Sequence, residues 1–365
     1  MLTIQEITTY LEQLAPLQLQ EDYDNAGLII GNAHEKVTGV LVSLDCTEAV
    51  IQEAIDRSCN LVVAHHPIVF KGLKKITGRN YIERTVLMAI KNNIAIYAIH
   101  TNLDNVVGGV NFKIAAQLGL QNVSILSPKA SQLMKLVVFT PVAHTESLLR
   151  ALHAAGAGDI GNYSNCSFHT TGTGSFMPNQ AANPTIGQAN VQEEVLENRI
   201  EVVFPSYLQG KILTAMKAAH VYEEVAYYVS AINNQHQAVG SGAVGFLENE
   251  MNEVDFLQFL KEKMNVTVIR HTALLNKKIK KVALCGGAGG FLLNAAIGQK
   301  ADIFITADYK YHEFFDADGH LIIADIGHFE SEQYTKELLV EYLSKKITNF
   351  AVCLSKVATN PIHYF

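Results

Sequence analysis

The stretch NLVVAHHP at residues 60–67 sets four apolar residues in a row, follows them with two histidines and closes on a proline. A run that short and that uniformly apolar reads as a strand buried on both faces, as in a parallel sheet covered by helices. Pro67 has no N–H to give a ladder and biases the residue before it toward an extended conformation, so the chain leaves the sheet there. His65 and His66 therefore stand at the carboxyl edge of the strand, where open α/β sheets place ligands.

Working outward, apolar runs at 37–44 (VTGVLVSL) and 94–99 (IAIYAI) alternate with helical patterns at 47–57 and 81–92. Strands separated by helices imply crossover connections and a largely parallel sheet covered on both faces. Ahead of them, Thr3 and Glu6 form a capping box for a helix carrying Ile4, Ile7, Leu11 and Leu14 on one face. From about residue 127 the texture changes. LMKLVVFTP (133–141), a helix over 144–155, a strand at 199–205, a helix at 207–220 and a strand at 225–232 follow, with Gly- and Asn-rich segments between. Read coarsely this is β-α-β-β-α-β, the split ferredoxin-like unit, with a long loop at 170–192 between its middle strands. After residue 240 the α/β texture resumes. SGAVGFLENEMNEVDFLQFLKEKMN (241–265) supplies a strand and a helix, and VTVIRH (266–271), KKVALC (280–285), ADIFIT (301–306) and LIIADI (321–326) supply further strands. The expected fold is α/β, with a discontinuous core of residues 1–126 and 241–365, its mainly parallel sheets flanked by helices and completed only by both halves, interrupted by an α+β ferredoxin-like insert at 127–240.

Composition narrows the function. At roughly 150 residues per domain, a chain of 365 residues holds two or three domains, and 48% hydrophobic against 17% charged residues disfavours disorder. A net charge of −7 removes any general attraction to nucleic acid or an anionic membrane. No segment approaches the ~20 apolar residues of a spanning helix, and the N-terminal MLTIQEITTY lacks the basic and apolar regions of a signal peptide, so the expected location is the cytoplasm. Five scattered cysteines without a CxxC pair argue against a disulfide framework or a thiolate zinc site.

Three strand exits carry the chemistry. Besides the histidine pair, IAIYAI runs into His100, Thr101, Asn102, Leu103 and Asp104, which delivers the Asp104 carboxylate to the same edge; His100, nearer the strand, reads as a supporting or structural group. After LIIADI, His328 and Glu332 are four apart, one turn on one helical face, so imidazole and carboxylate can converge on one ion. Neighbouring histidines on a strand point to opposite faces and can join one site only where the strand breaks, or else serve two ions or simply hydrogen-bond at a strand end. Five nitrogen and oxygen ligands, His65, His66, Asp104, His328 and Glu332, exceed the usual three of one catalytic zinc, and a carboxylate can bridge two ions. They imply a dinuclear site for Zn, Mn, Fe or Co.

Other features are less specific. CGGAGG (285–290) is equally a tight turn or an anion cradle, and lacks the Lys-Ser/Thr of a P-loop. Asp308 and His312 in TADYKYHE are candidates for proton transfer or for orienting a ligand. Lys71, Lys74, Lys75 and Arg79 could attract an anionic substrate, whereas Lys277, Lys278, Lys280 and Lys281 read as a solvated strand entry.

Taken jointly, EDYDNAGLIIG (21–31), VSLDCTEAV (42–50), VVAHHPIVFKGLKKIT (62–77), HTNLDNVVGGVN (100–111), ITADYKYHE (305–313), GHFESE (327–332) and TNPIHYF (359–365) resemble the GTP cyclohydrolase I type 2 homolog family, the Ngg-interacting-factor-three-like proteins. Two departures are visible: Tyr23 stands where the family usually has Trp, and 306–308 reads TAD where it usually reads TGD. The resemblance implies two divalent metal ions per chain on His65, His66, Asp104, His328 and Glu332, a CutA/PII-like insert at 127–240, and a toroidal homohexamer. It also implies a metal-dependent hydrolase acting on a nucleotide-like or phosphorylated small molecule, the family name pointing to opening of the GTP imidazole ring. The alternative is a metal-stabilised hexameric scaffold whose insert senses a small molecule.

Overall fold

The computed structural model describes residues 2–348 and 350–365. The protein is an α/β core interrupted by an α+β insert. One compact unit takes the chain through Ser127 and resumes at Val239; the other is Pro128–Ala238. Among the described residues no helix is long and apolar enough to cross a membrane.

Among the described residues the first unit contains two sheets, and each draws strands from both ends of the chain. The first sheet runs in the order Gly27–Ile30, Ala95–Ala98, Leu61–Ala64, Val40–Ser43 and Val352–Leu354. Its first pairing is antiparallel and the other three are parallel. Every residue of the three central strands is buried, which is why they read as unbroken apolar runs. Helices Glu48–Asp56 and Tyr81–Lys91 cover them, packing Val50, Ile51 and Ala89 on Leu41, Val62 and Ile96. Thr47 and Asn80 cap these helices by accepting from the main-chain N–H three residues on.

The second sheet is ordered Arg270–His271, Ile322–Asp325, Ile303–Ala307, Lys278–Ala288, His236–Asn252 and Gln121–Lys129. It is mixed: the three strands Ile322–Asp325, Ile303–Ala307 and Lys278–Ala288 are parallel, with antiparallel partners at Arg270–His271 and His236–Asn252. Of the expected strand at VTVIRH only Arg270–His271 forms, because only these two residues meet the Ile322–Asp325 strand. Both sheets thus contain a block of parallel strands, and the carboxyl ends of such blocks are where ligand sites arise.

The insert is ferredoxin-like. Its strands lie in the order Phe168–Phe176, Glu193–Pro205, Leu133–Pro141 and Tyr227–Ile232, every neighbour antiparallel. Helices Thr145–Ala155 and Gln209–Ala219 bury Leu148, Leu152, Ile212 and Met216 against Leu136, Val138, Ile200, Val202 and Phe204. The loop expected at 170–192 is shorter, because Phe168–Phe176 is a strand despite Gly172 and Gly174 and pairs with Glu193–Pro205 along its whole length.

Candidate metal centre

The carboxyl ends of both parallel blocks meet around one cavity of about 460 Å³. His66, His100, Asp104, His328 and Glu332 line it, with Tyr23, Phe70, Phe291 and Phe329 among its walls. His65 and His66 follow the Leu61–Ala64 strand directly, Asp104 ends the short helix Thr101–Asp104 after Ala95–Ala98, and His328 and Glu332 open and close the single helical turn after Ile322–Asp325. His65, Asp104 and Glu332 form one group able to hold a cation, and His66, His328 and Glu332 form another. Glu332 belongs to both. Its Oε2 lies 2.9 Å from Nε2 of His66 and 3.1 Å from Nε2 of His328, while its Oε1 lies 3.9 Å from Nε2 of His65.

Each histidine is aimed by its other nitrogen. Nδ1 of His65 is 2.8 Å from the carbonyl oxygen of Ile99, that of His66 is 2.8 Å from Asp45, and that of His328 is 2.7 Å from Asp308. An acceptor on Nδ1 fixes the ring and turns Nε2 to the cluster, the arrangement metal-binding histidines use. His65 shows the consequence most clearly. Burial holds its pKa below the ordinary histidine value, so its proton sits on Nδ1 and the Nε2 lone pair is free. That Nε2 and Asp104 Oδ1 are buried, find no hydrogen-bond partner among the described residues and stand 3.7 Å apart. Two orphaned buried acceptors facing each other are costly unless a cation or a proton sits between them.

The charges of the remaining groups are strongly perturbed. Burial works against protonation of His66, but Asp45 and Glu332 outweigh it and push its pKa up to about 10. Burial is likewise outweighed at His328, which Glu332 and Asp308 push up to about 9. Glu332 remains ionised despite its burial because three imidazoles face it, whereas burial and the Glu332 charge hold the Asp104 carboxyl well above its ordinary range. A divalent cation bound at these atoms competes with the protons. Cys285, also lining the cavity, is held as a neutral thiol by burial first and then by Asp104 and Glu332.

Several expectations change here. His100 stands directly against the histidine pair: its ring is edge-on to His65 and His66, centroids 5.3 and 5.4 Å away, and the three form another group able to hold a cation. The structure does not bring His312 to the cluster; it is exposed, its ring edge-on to Tyr311, and it does not line the cavity. Of the basic residues after the histidine pair, Lys71 lines an adjoining cavity of about 890 Å³ that shares Asp45, His66 and Phe70 with the first. Arg79 turns to Glu83 instead.

The glycine turn is a close-approach device rather than a free anion cradle. Its N–H groups are taken by Asn111 at Gly286, Ser331 at Gly287 and Thr306 at Gly289. Gly287 has a φ of +61°, and a Cβ there would meet Oε1 of Glu332 at 2.5 Å and Cε1 of His328 at 3.2 Å. Two further carboxylates emerge as supports. Asp45, two residues past Val40–Ser43, obeys the same strand-exit pattern as the candidate ligands, and Thr359 also donates to it. Asp24 lies 2.8 Å from Nδ1 of His100 and accepts from both the main-chain and side-chain donors of Thr101.

With this geometry in view, the likenesses to other proteins are coherent. Residues 2–361 match the Duf34/NIF3 (NGG1p interacting factor 3) family. A GTP cyclohydrolase 1 type 2 homolog of Halalkalibacterium halodurans is 38% identical over 366 residues, 99% of this chain and 98% of the relative. Its counterpart in Bacillus subtilis is 36% identical over 370 residues, with 99% and 98% covered. Among solved structures, a Bacillus cereus protein related to NIF3 superposes with a TM-score of 0.87 at 39% identity, covering 100% of this chain and 99% of the other. A Staphylococcus aureus protein gives 0.78 at 29% identity with the same coverage. The family match and the coverage of these relatives run over nearly the whole chain: the chain belongs to the Duf34/NIF3 family.

Proposed function

We propose that His65, His66, Asp104, His328 and Glu332 hold two divalent metal ions, Glu332 shared between them, and that the protein is a metal-dependent hydrolase of a nucleotide-like or phosphorylated small molecule. The observation carrying this reading is the position of Glu332, with one carboxylate oxygen toward each ligand group. The orphaned His65 Nε2 and Asp104 Oδ1 fit a cation between them, and an all-nitrogen and oxygen donor set suits Zn, Mn, Fe or Co. A divalent pair bound there would bring the pKa of water toward neutrality and polarise a carbonyl or phosphoryl oxygen.

The chain's own residues supply position and proton control. The Ile99 carbonyl, Asp45 and Asp308 keep three imidazoles turned inward, and Asp308 is the group placed to hold a proton at Nδ1 of His328. Aromatic walls from Phe70, Phe291 and Phe329 limit water, and the volume suits a small organic substrate. Lys71 at the adjoining cavity offers positive charge to an anionic group, and the names of the relatives point toward a nucleotide. The reading extends to self-assembly as a toroidal homohexamer, supported by the exposed rings of Phe291, Tyr311 and Phe315.

Metal analysis of the purified protein tests the site. Close to two ions per chain are expected in wild type, about one in His66→Ala and far fewer in Glu332→Ala; wild-type content in either variant defeats the assignment. Turnover of nucleotides and phosphoesters should vanish in His328→Ala, and activity unchanged in that variant would separate the reaction from the cluster. Native mass spectrometry reads the assembly, and a monomer would remove the hexamer from the proposal.

A further inference from the structure

The inserted unit contains a cavity of about 480 Å³ of its own. Aromatic rings build its walls: Phe139 meets Tyr228 edge-on and Phe176 meets Tyr222, each pair 5.9 Å between centroids. The segment between strands Phe168–Phe176 and Glu193–Pro205 forms the remaining wall and is tied down. The Asn183 N–H donates to Glu223 at 2.8 Å, the Thr185 hydroxyl donates to the Val221 carbonyl at 2.7 Å, and the Asn190 N–H donates to the Pro178 carbonyl at 2.7 Å.

Inside this apolar lining sits Glu197, only 7% exposed. Its carboxylate occupies the space that a side chain at Gly174 would fill, since a Cβ there would meet Oε2 at 2.1 Å. The Tyr222 hydroxyl is buried beside it without reaching ordinary hydrogen-bond geometry, and burial together with Glu197 raises its pKa, so it stays a neutral phenol. The cations of the same sheet are engaged elsewhere, Lys135 and Arg199 both pairing with Glu201. Glu223 and Glu224 add negative charge at the cavity, and among the described residues no Lys, Arg or His lines it. A buried carboxylate costs free energy until it is paired, and ring faces attract cations.

We propose that this cavity binds a small organic cation, a protonated amine on an aromatic or aliphatic body, with the ammonium donating to Glu197 and the Tyr222 oxygen and the body among the four rings. The inference stands on the insert alone and is independent of the metal reading. Its test uses the full-length protein and three probes of one size: 2-phenylethylammonium, neutral 2-phenylethanol and anionic phenylacetate, titrated by calorimetry and ligand-observed NMR. The ammonium is expected to bind at least about tenfold more tightly than either of the others. Glu197→Gln should reduce that preference to about threefold or less. Tyr228→Ala removes an exposed ring that the unit's core does not need, so it remains informative if Glu197→Gln fails to fold, and it should weaken ammonium binding by about tenfold. Equal binding of the three probes, no saturable binding of the ammonium, or unchanged affinity in either folded variant would overturn the proposal.

Discussion

The two sheets of the core contribute to the cluster in different ways. The first supplies a histidine pair directly at a strand end and Asp104 from a short helical turn, and its innermost ligand candidate, His65, is wholly buried with Nδ1 on the main-chain carbonyl of Ile99. The second supplies one helical turn, in which the His328 side chain is 36% exposed and Nδ1 rests on an aspartate that is itself 51% exposed. A main-chain carbonyl just past a buried strand cannot move by a change of rotamer, whereas a solvent-facing aspartate can. One side of the cluster is therefore set by the fold, while the other sits at the cavity's open edge, where a substrate would arrive and where a proton could leave.

Glu332 joins the two sides, and replacing it should do most damage. Glutamine keeps its size but loses the charge and one acceptor oxygen, so both ligand groups are broken at once. Metal affinity should fall by more than about 100-fold, beyond what loss of an outer partner costs, while His328→Ala should spare the group of His65, Asp104 and Glu332 and retain about one ion per chain. Calorimetric metal titration of the two variants reads this directly. Equal losses would mean that the sides are a single unit and that the contrast between them has no energetic content.

Gly287 tests how tightly the second sheet must approach that carboxylate. Alanine at a φ of +61° is strained, and its Cβ would press on Glu332 Oε1 and the His328 ring. Gly287→Ala should cost about 2 kcal/mol in urea unfolding and lower metal content too. Full stability with depleted metal would place the whole effect in the site; loss of neither would show that the turn can yield.

What could be read in advance follows the same division. The candidates His65, His66, Asp104, His328 and Glu332 could be picked out because each stands within a turn or so of the end of a short apolar run, a local feature. Asp45 obeys that pattern too, but its role depends on a histidine 21 residues away, to which nothing local connects it. Asp24 is 76 residues from His100 and lies in a turn with no periodicity at all. The division of strands between the two sheets is not legible for a related reason. Whether Val352–Leu354 and Gln121–Lys129 extend a sheet, and which one, is decided by partners far along the chain. VTVIRH alternates like a strand, yet pairs only at Arg270 and His271, where the neighbouring strand happens to end.

The Asp24 clamp provides a pH test on the first side. Burial opposes its ionisation, but hydrogen bonds from His100 and Thr101 hold its pKa down to about 2 from an ordinary 3.8. A depressed carboxylate contributes stability that is complete above its unfolded pKa and is lost as the pH falls through the folded one. Asp24→Asn should thus cost about 2 kcal/mol near pH 6, and the gap to wild type should close as unfolding is measured from pH 4 down toward pH 2. A gap that stays constant over this range would mean that the lost contribution is not the carboxylate's charge.

The smallest difference bears most directly on the two sides. Asp45 and Asp308 do the same task, each accepting at Nδ1 of one histidine, and asparagine at either position keeps an acceptor while removing the charge. Their surroundings differ, since Asp45 is 32% exposed and also receives the Thr359 hydroxyl, whereas Asp308 is more open. Burial opposes protonation of both histidines; among the groups that outweigh it Asp45 comes first at His66, whereas at His328 Asp308 follows Glu332. Loss of an outer partner typically lowers metal affinity ~10–100-fold. Asp45→Asn is expected near the upper end and Asp308→Asn near the lower, because water can replace an exposed acceptor more readily than a half-buried one. For turnover the order should reverse if Asp308 holds the proton at His328: Asp308→Asn would then depress the rate more than its modest effect on metal explains, and a rate that simply tracked metal content in both variants would reduce Asp308 to a prop for the imidazole.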